Sequence, residues 1–178
     1  MKIVLCGMMG CGKTTVGRAV ANRLEWAFAD TDEWIVSRFG SIEGIFRREG
    51  EERFRALEMQ AVRSALGAES VVISLGGGAL LKAENVALLK ADLQVKMIYL
   101  QAEAETLAQR LQEDESRPLL GKALPYDLLF ERLENLLSQR SNNYENVADC
   151  VICVDEKSPA EIADEIVKKI HLWGAGIE

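Results

Sequence analysis

An apolar run, "MKIVL", leads straight into "CGMMGCGKTT" (Cys6 to Thr15) near the start of the chain. The glycines are spaced Gly7-x-x-x-x-Gly12 and are followed at once by Lys13 and Thr14. A strand must end and a helix must begin within a few residues, so the turn between them is tight and its backbone exposed. Consecutive N–H groups of such a turn curl round an anion, and the helix aims its positive end at the same point. With strand before and helix after, the pattern is that of a P-loop. Lys13 can reach the β- and γ-phosphates of a nucleotide, and the Thr14 hydroxyl can ligate Mg²⁺. The loop specifies a phosphate donor and leaves the acceptor open.

Short apolar runs alternate with helical patterns along the rest of the chain. Strands are expected at "KIVLC", "WAFAD", "SVVISL", "KMIYL" and "CVICV". Helices are expected from about Lys13, from Asp32 to about Ala68, near Glu84–Ala91 and Glu103–Gln112, from about Tyr126, and from Ser158-Pro159. Such alternation predicts an α/β fold, a parallel sheet with helices on both faces. The near-continuous apolar strands agree, because a parallel sheet is covered on both sides. At 178 residues the chain fits one domain. The stretch "EDESRPLLGKALP" is too polar and too broken by Pro and Gly for a core, and a loop of that length in an α/β enzyme predicts a mobile lid at about residues 113–124. The last residues, about 171–178, read as a tail in which His171 and Trp173 serve packing.

A formal net charge of −7 argues against nonspecific nucleic-acid binding. An anionic substrate would need a few well-placed arginines. The longest apolar runs fall far short of the ~20 residues that span a bilayer. Of the four cysteines, Cys150 and Cys153 form a C-x-x-C, but on a strand positions three apart face opposite ways. The cysteines are expected to be buried core thiols, and Cys11, inside the loop, a thiol that the space tolerates. Reduced thiols without a targeting segment make the cytoplasm the expected location, and a monomer the default.

Several residues could serve an acceptor. Asp30 and Asp32 follow the second strand, so both should emerge at the carboxyl edge of the sheet, where open α/β folds bind ligands. One could hold Mg²⁺ while the other takes the proton of an attacking hydroxyl; alternatively, Asp32 caps the helix "DEWIVSRF". Arg55 continues the stripe Met59, Val62, Leu66, and Arg140 lies on the stripe Leu133, Leu137, Tyr144. A guanidinium on an apolar stripe is costly unless an anion or carboxylate meets it, and its fork suits a carboxylate. Glu58, one turn from Arg55, could orient it. Gly76-Gly77-Gly78 after a central strand suits close approach of a ligand to backbone. Arg110 and Arg117 flank the acidic start of the expected lid, where closure would bring guanidinium charge to a transferring phosphoryl group.

Taken in order, "GMMGCGKTT", "DTD", "GEERFRALE", "SLGGG", "RPLL" and Arg140-x3-Tyr144 resemble shikimate kinases, from Lys2 to about Pro159. The resemblance implies a nucleoside-monophosphate-kinase-like fold with a five-stranded sheet in the order 2-3-1-4-5. It implies transfer of the ATP γ-phosphate to the 3-hydroxyl of shikimate, with Mg²⁺. By position, Gly10, Cys11, Gly12, Lys13, Thr14 and Thr15 would hold the ATP phosphates, and Thr14 with Asp30 the metal. Asp32 would bind the reacting hydroxyl and act as base. Arg55 and Arg140 would clamp the shikimate carboxylate, with Gly76, Gly77 and Gly78 against the ring. Arg117 would be the lid arginine, and Arg110 would lie near the adenine. Cys11 stands where the family usually has serine, and Ser74 where many P-loop proteins carry an acid, so metal binding rests on Asp30 and Thr14. Two other readings stay open: a small P-loop kinase for gluconate or another hydroxy acid, and a nucleotide-binding regulatory module without transfer activity.

Overall fold

The computed structural model describes residues 1–113 and 124–176. The expected lid, with Arg117, lies outside the described residues apart from its two ends. Five strands, β1 (Lys2–Cys6), β2 (Ala27–Asp30), β3 (Val71–Ser74), β4 (Val95–Gln101) and β5 (Cys150–Cys153), form one parallel sheet in the order β2-β3-β1-β4-β5. The expected order is the observed one.

Seven α-helices complete the described chain: α1 (Lys13–Leu24), α2 (Thr31–Phe39), α3 (Ile42–Ala65), α4 (Ala83–Ala91), α5 (Ala104–Glu113), α6 (Tyr126–Glu145) and α7 (Pro159–Gly174). Alternation along the strands divides the core. Ile3 and Leu5 of β1 point to one face, with Val72, Ile98 and Ile152, against residues of α1, α5, α6 and α7. Val4 and Cys6 point to the other, with Ile73, Met97 and Tyr99, against residues of α3 and α4. A third, smaller cluster of Ile35, Ile45, Phe54, Leu57 and Ala61 ties α2 to α3.

Two details differ from the expectations. Cys6 and Cys11 are buried, but Cys150 is only partly so and Cys153 is exposed, because β5 is an edge strand on which only Ile152 is buried. The supposed tail is helical through Gly174: α7 continues across His171 and Trp173, and Trp173 packs against the core with Lys96 and Lys169 over its ring. The helical segments expected from Asp32 to about Ala68 are α2 and α3, and α3 is itself interrupted at Gly50. Gly50 sits at φ 81° and ψ 177°, which interrupts the helical path and sets the first turns of α3 at an angle to the rest.

Register decides what the sheet brings together. Leu5 pairs with Ser74 and Asp30 pairs with Ser74, so the carboxyl ends of β2, β3 and β1 stand side by side. The segments leaving those ends are the aspartates, the three glycines and the P-loop.

Burial predicts where truncation will cost most. Leu5 is 0% exposed in the central strand, and Leu5→Ala should lower unfolding free energy by about 2–5 kcal/mol. Val151 on the edge is 45% exposed, and Val151→Ala should cost less than about 1 kcal/mol. Urea denaturation of the two variants checks the contrast.

Candidate active site

The P-loop is closed by its own backbone. Gly7 has φ 140°, and a Cβ there would lie 2.6 Å from the Leu100 carbonyl oxygen. Gly12, at φ 96°, is the cap from which α1 starts, its carbonyl accepting from Val16 N at 2.8 Å. Both positions therefore require glycine. Lys13 is buried, and its Nζ donates to the carbonyls of Gly7 and Met8 at 2.9 Å each. It also approaches Cys11 Sγ at 3.8 Å. Cys11 is wholly buried beneath this lysine, and burial pushes the neighbouring Cys6 thiol up to about 12.

Asp30 joins two elements through its two oxygens. Oδ1 accepts from the N–H groups of Asp32 and Glu33, at 3.0 and 3.1 Å, and so caps α2. Oδ2 accepts from the Thr14 hydroxyl at 2.7 Å. The cap of this helix is thus Asp30 and not Asp32. Sequence patterning could not separate the two, since either stands before the apolar stripe. Thr14 and Asp30 offer adjacent hard oxygen donors, which suits Mg²⁺, an ion that completes its shell with waters and phosphate oxygens.

The acceptor side is built on Gly76-Gly77-Gly78. A Cβ at Gly76 would sit 2.6 Å from Asp32 Oδ1 and 3.2 Å from Glu58 Oε1. One at Gly77 would lie 4.0 Å from Arg140 Nη1, and one at Gly78 2.7 Å from Arg55 Nη1. Gly76 and Gly78 therefore each have a charged side chain directly against them, whereas Gly77 is nearest to P-loop backbone, with Gly7 O and Met9 N each 3.6 Å from a Cβ placed there. Arg140 Nη1 donates to the Gly77 carbonyl at 3.4 Å, and the Tyr144 hydroxyl donates to the same oxygen. Burial raises the Tyr144 pKa, which keeps it a donor.

Arg55 is held by carboxylates. Its Nη1 donates to Glu58 Oε2 at 2.9 Å and its Nη2 to Glu51 Oε1 at 3.1 Å. Glu58 and Glu51 together outweigh the cost of burial and raise the Arg55 pKa. Glu58 itself has a side chain only 1% exposed. Burial raises its pKa, the Arg55 pairing opposes that, and Asp32 adds a further upward push. Burial is the larger effect, because Oε1 has no hydrogen-bond partner among the described residues.

A cavity of about 860 Å³ runs along this edge of the sheet. Gly10, Cys11, Gly12, Lys13, Thr14, Thr15 and Arg110 line it, with Asp30, Asp32 and Gly77. Arg55, Gly76, Gly78 and Arg140 stand beside it, joined to it through the glycine loop. Lys157 and Pro159 line it as well, and Arg110 Nη2 donates to the Val154 carbonyl at 2.9 Å. Two features escaped sequence reasoning as site residues. Glu58 was legible only as a partner for Arg55, and Thr31, inside "DTD", carried no role.

The fold and the loop define a P-loop kinase, with the glycine-rich loop and the Asp32 carboxylate on one cleft. A family model described as shikimate kinase matches residues 9–171. The shikimate kinase of Moorella thermoacetica is 42% identical over 172 residues, covering 96% of this chain and 95% of that protein. The structure of shikimate kinase from Acinetobacter baumannii in complex with shikimate superposes with a TM-score of 0.85 at 34% identity, covering 96% of this chain and 92% of that one. A gluconokinase from Sinorhizobium meliloti, TM-score 0.60 at 22% identity over 97% of this chain and 96% of that one, shares the fold alone. The chain belongs to the shikimate kinase family, ATP-dependent transferases that phosphorylate a hydroxyl of shikimate.

Two predictions follow from the packing. In Gly76→Ala the atom that must give way is Asp32 Oδ1, so kcat should fall roughly tenfold or more while ATP binding is kept, as steady-state kinetics and nucleotide titration will show. For Glu58, a folded-state pKa above its ordinary 4.5 stabilises the fold below that value, and the benefit is lost as pH rises through the raised one. Wild-type stability minus that of Glu58→Gln should therefore decline from acid toward neutral pH in denaturation curves. A difference that grew with pH would mean that Arg55 pairing prevails over burial.

Proposed function

We propose that this chain transfers the γ-phosphoryl group of Mg²⁺-ATP to the 3-hydroxyl of shikimate, with Asp32 as the base. The observation that supports this most directly is the contact of Asp32 Oδ1 with Gly76, one and two residues from the glycines that touch Arg140 and Arg55. A hydroxyl acceptor carrying a carboxylate a few ångströms away matches that spacing of base and paired guanidinium groups.

In this reading the ring lies against Gly76, Gly77 and Gly78, whose missing side chains leave the backbone accessible. Arg55 and Arg140 take the substrate carboxylate in charge-assisted hydrogen bonds and fix the ring's orientation. Asp32 accepts a hydrogen bond from the reacting hydroxyl and receives its proton as oxygen attacks phosphorus in line. The N–H groups from Gly10 to Thr15 hold the phosphates, and Lys13 leaves the carbonyls of Gly7 and Met8 for the charge that develops on the transferring group. Thr14 and Asp30 would hold Mg²⁺, which when bound neutralises phosphate charge. Arg110, with Lys157 and Pro159, would receive the adenine, and Arg117 would serve the phosphates from the lid. The same reading has the protein working as a cytoplasmic monomer on two small molecules, with neither nucleic acid nor membrane as partner. No described helix is long and apolar enough to cross a membrane.

The test is ADP release from Mg²⁺-ATP with shikimate, with gluconate and with no acceptor. Turnover is expected with shikimate only, lost on chelation of Mg²⁺ and reduced at least about a thousandfold in Asp32→Asn with nucleotide binding intact. Turnover on gluconate alone would favour the hydroxy-acid kinase reading. Tight ATP binding without turnover on either acceptor would favour a regulatory module.

A further inference from the structure

Thr31 separates Asp30 from Asp32 and is 1% exposed, a buried hydroxyl in a turn otherwise made of carboxylates. Both of its hydrogen-bonding functions are directed at the neighbouring strand. Its Oγ1 accepts from the Gly76 N–H at 2.9 Å and donates to the Ser74 carbonyl, a longer bond of 3.4 Å. Thr31 follows the last residue of β2 and Gly76 lies two residues past β3, so the bonds join the two exits where the pairing of Asp30 with Ser74 ends. They continue the link between the strands where the backbone ladder has ended.

The consequence lies at Gly76. Its N–H is held by Thr31, and its Cα faces Asp32 Oδ1, so residues 31 and 32 grip one glycine from two sides. The aspartate turn and the ring-binding loop leave different strands, and backbone pairing alone would let them shift relative to each other. We propose that Thr31 is a positioning residue: its hydroxyl locks the Asp32 carboxylate in place against the glycine loop, so that base and ring-binding backbone move as one body. The inference rests on the reading of Asp32 as the base. Serine keeps both bonds of this strut. Valine has nearly the same shape but keeps neither, and it leaves a buried N–H and a buried carbonyl without their partner.

The experiment compares Thr31→Val, Thr31→Ala and Thr31→Ser with the wild type in kcat, in KM for shikimate and for ATP, and in melting temperature. Thr31→Val and Thr31→Ala should lose about 10- to 100-fold in kcat/KM for shikimate, chiefly in kcat, with KM for ATP within about twofold. Thr31→Ser should stay within about threefold of the wild type in every constant. If Thr31→Val fails to fold, the smaller alanine variant makes the measurement. A hydroxyl serving the fold alone would lower the melting temperature and leave kcat per folded molecule unchanged, and that result overturns the proposal. So does a serine variant as impaired as valine. Asp32→Asn, assayed beside them, separates the two readings. An active Asp32→Asn takes both down, whereas an inactive one beside a fully active Thr31→Val removes the strut and leaves the base.

Discussion

Asp30 is where the halves of the cleft are joined. One carboxylate oxygen caps α2 and so fixes the direction in which Asp32 leaves the sheet; the other accepts from Thr14 at the start of the P-loop helix. A single side chain thereby ties the donor end of the site to the acceptor end. Its backbone pairs with Ser74, the last residue before the segment leading to the three glycines. The order β2-β3-β1 makes this possible, because three carboxyl ends must be neighbours before three loops can share one cleft.

On the acceptor side, charge is arranged around small residues. Arg55, Arg140, Asp32 and Glu58 converge on three consecutive glycines; a side chain at Gly76 or Gly78 would meet one of them, and one at Gly77 would first meet P-loop backbone. On the proposed reading, the missing Cβ atoms let a substrate touch backbone while cations and a carboxylate close round it. Glu58 is the costly member, since it is buried and one of its oxygens lacks a partner among the described residues. Such a group holds Arg55 in one rotamer at the expense of stability, a trade common where geometry matters more than the last few kcal/mol.

A P-loop on a parallel sheet offers any acceptor a phosphoryl donor, and function follows from the side chains set opposite it. Here those are a pair of guanidinium groups one glycine apart and a carboxylate on the next residue. On the proposed reading, their spacing suits an acceptor that carries both an anion and a hydroxyl.

Much of this was legible in the residues. The strand-loop-helix placement of Gly7, Gly12, Lys13 and Thr14 determined the phosphate site, because local backbone geometry and a helix end suffice to make one. Alternating apolar runs determined a parallel α/β sheet, and the ordered motifs from "DTD" to Arg140-x3-Tyr144 carried the family and its strand order. Contacts between distant segments were decided only by tertiary structure. Capping by Asp30 instead of Asp32 depends on where β2 ends relative to the first turn of α2, which periodicity leaves uncertain by a residue or two. Exposure of Cys153 depends on β5 being the edge strand, since "CVICV" reads alike at an edge or at the centre. Thr31 gained its meaning from Gly76, 45 positions away. A hydroxyl has no pattern along the chain that reveals which distant N–H it will meet, and only the packed sheet supplies that partner.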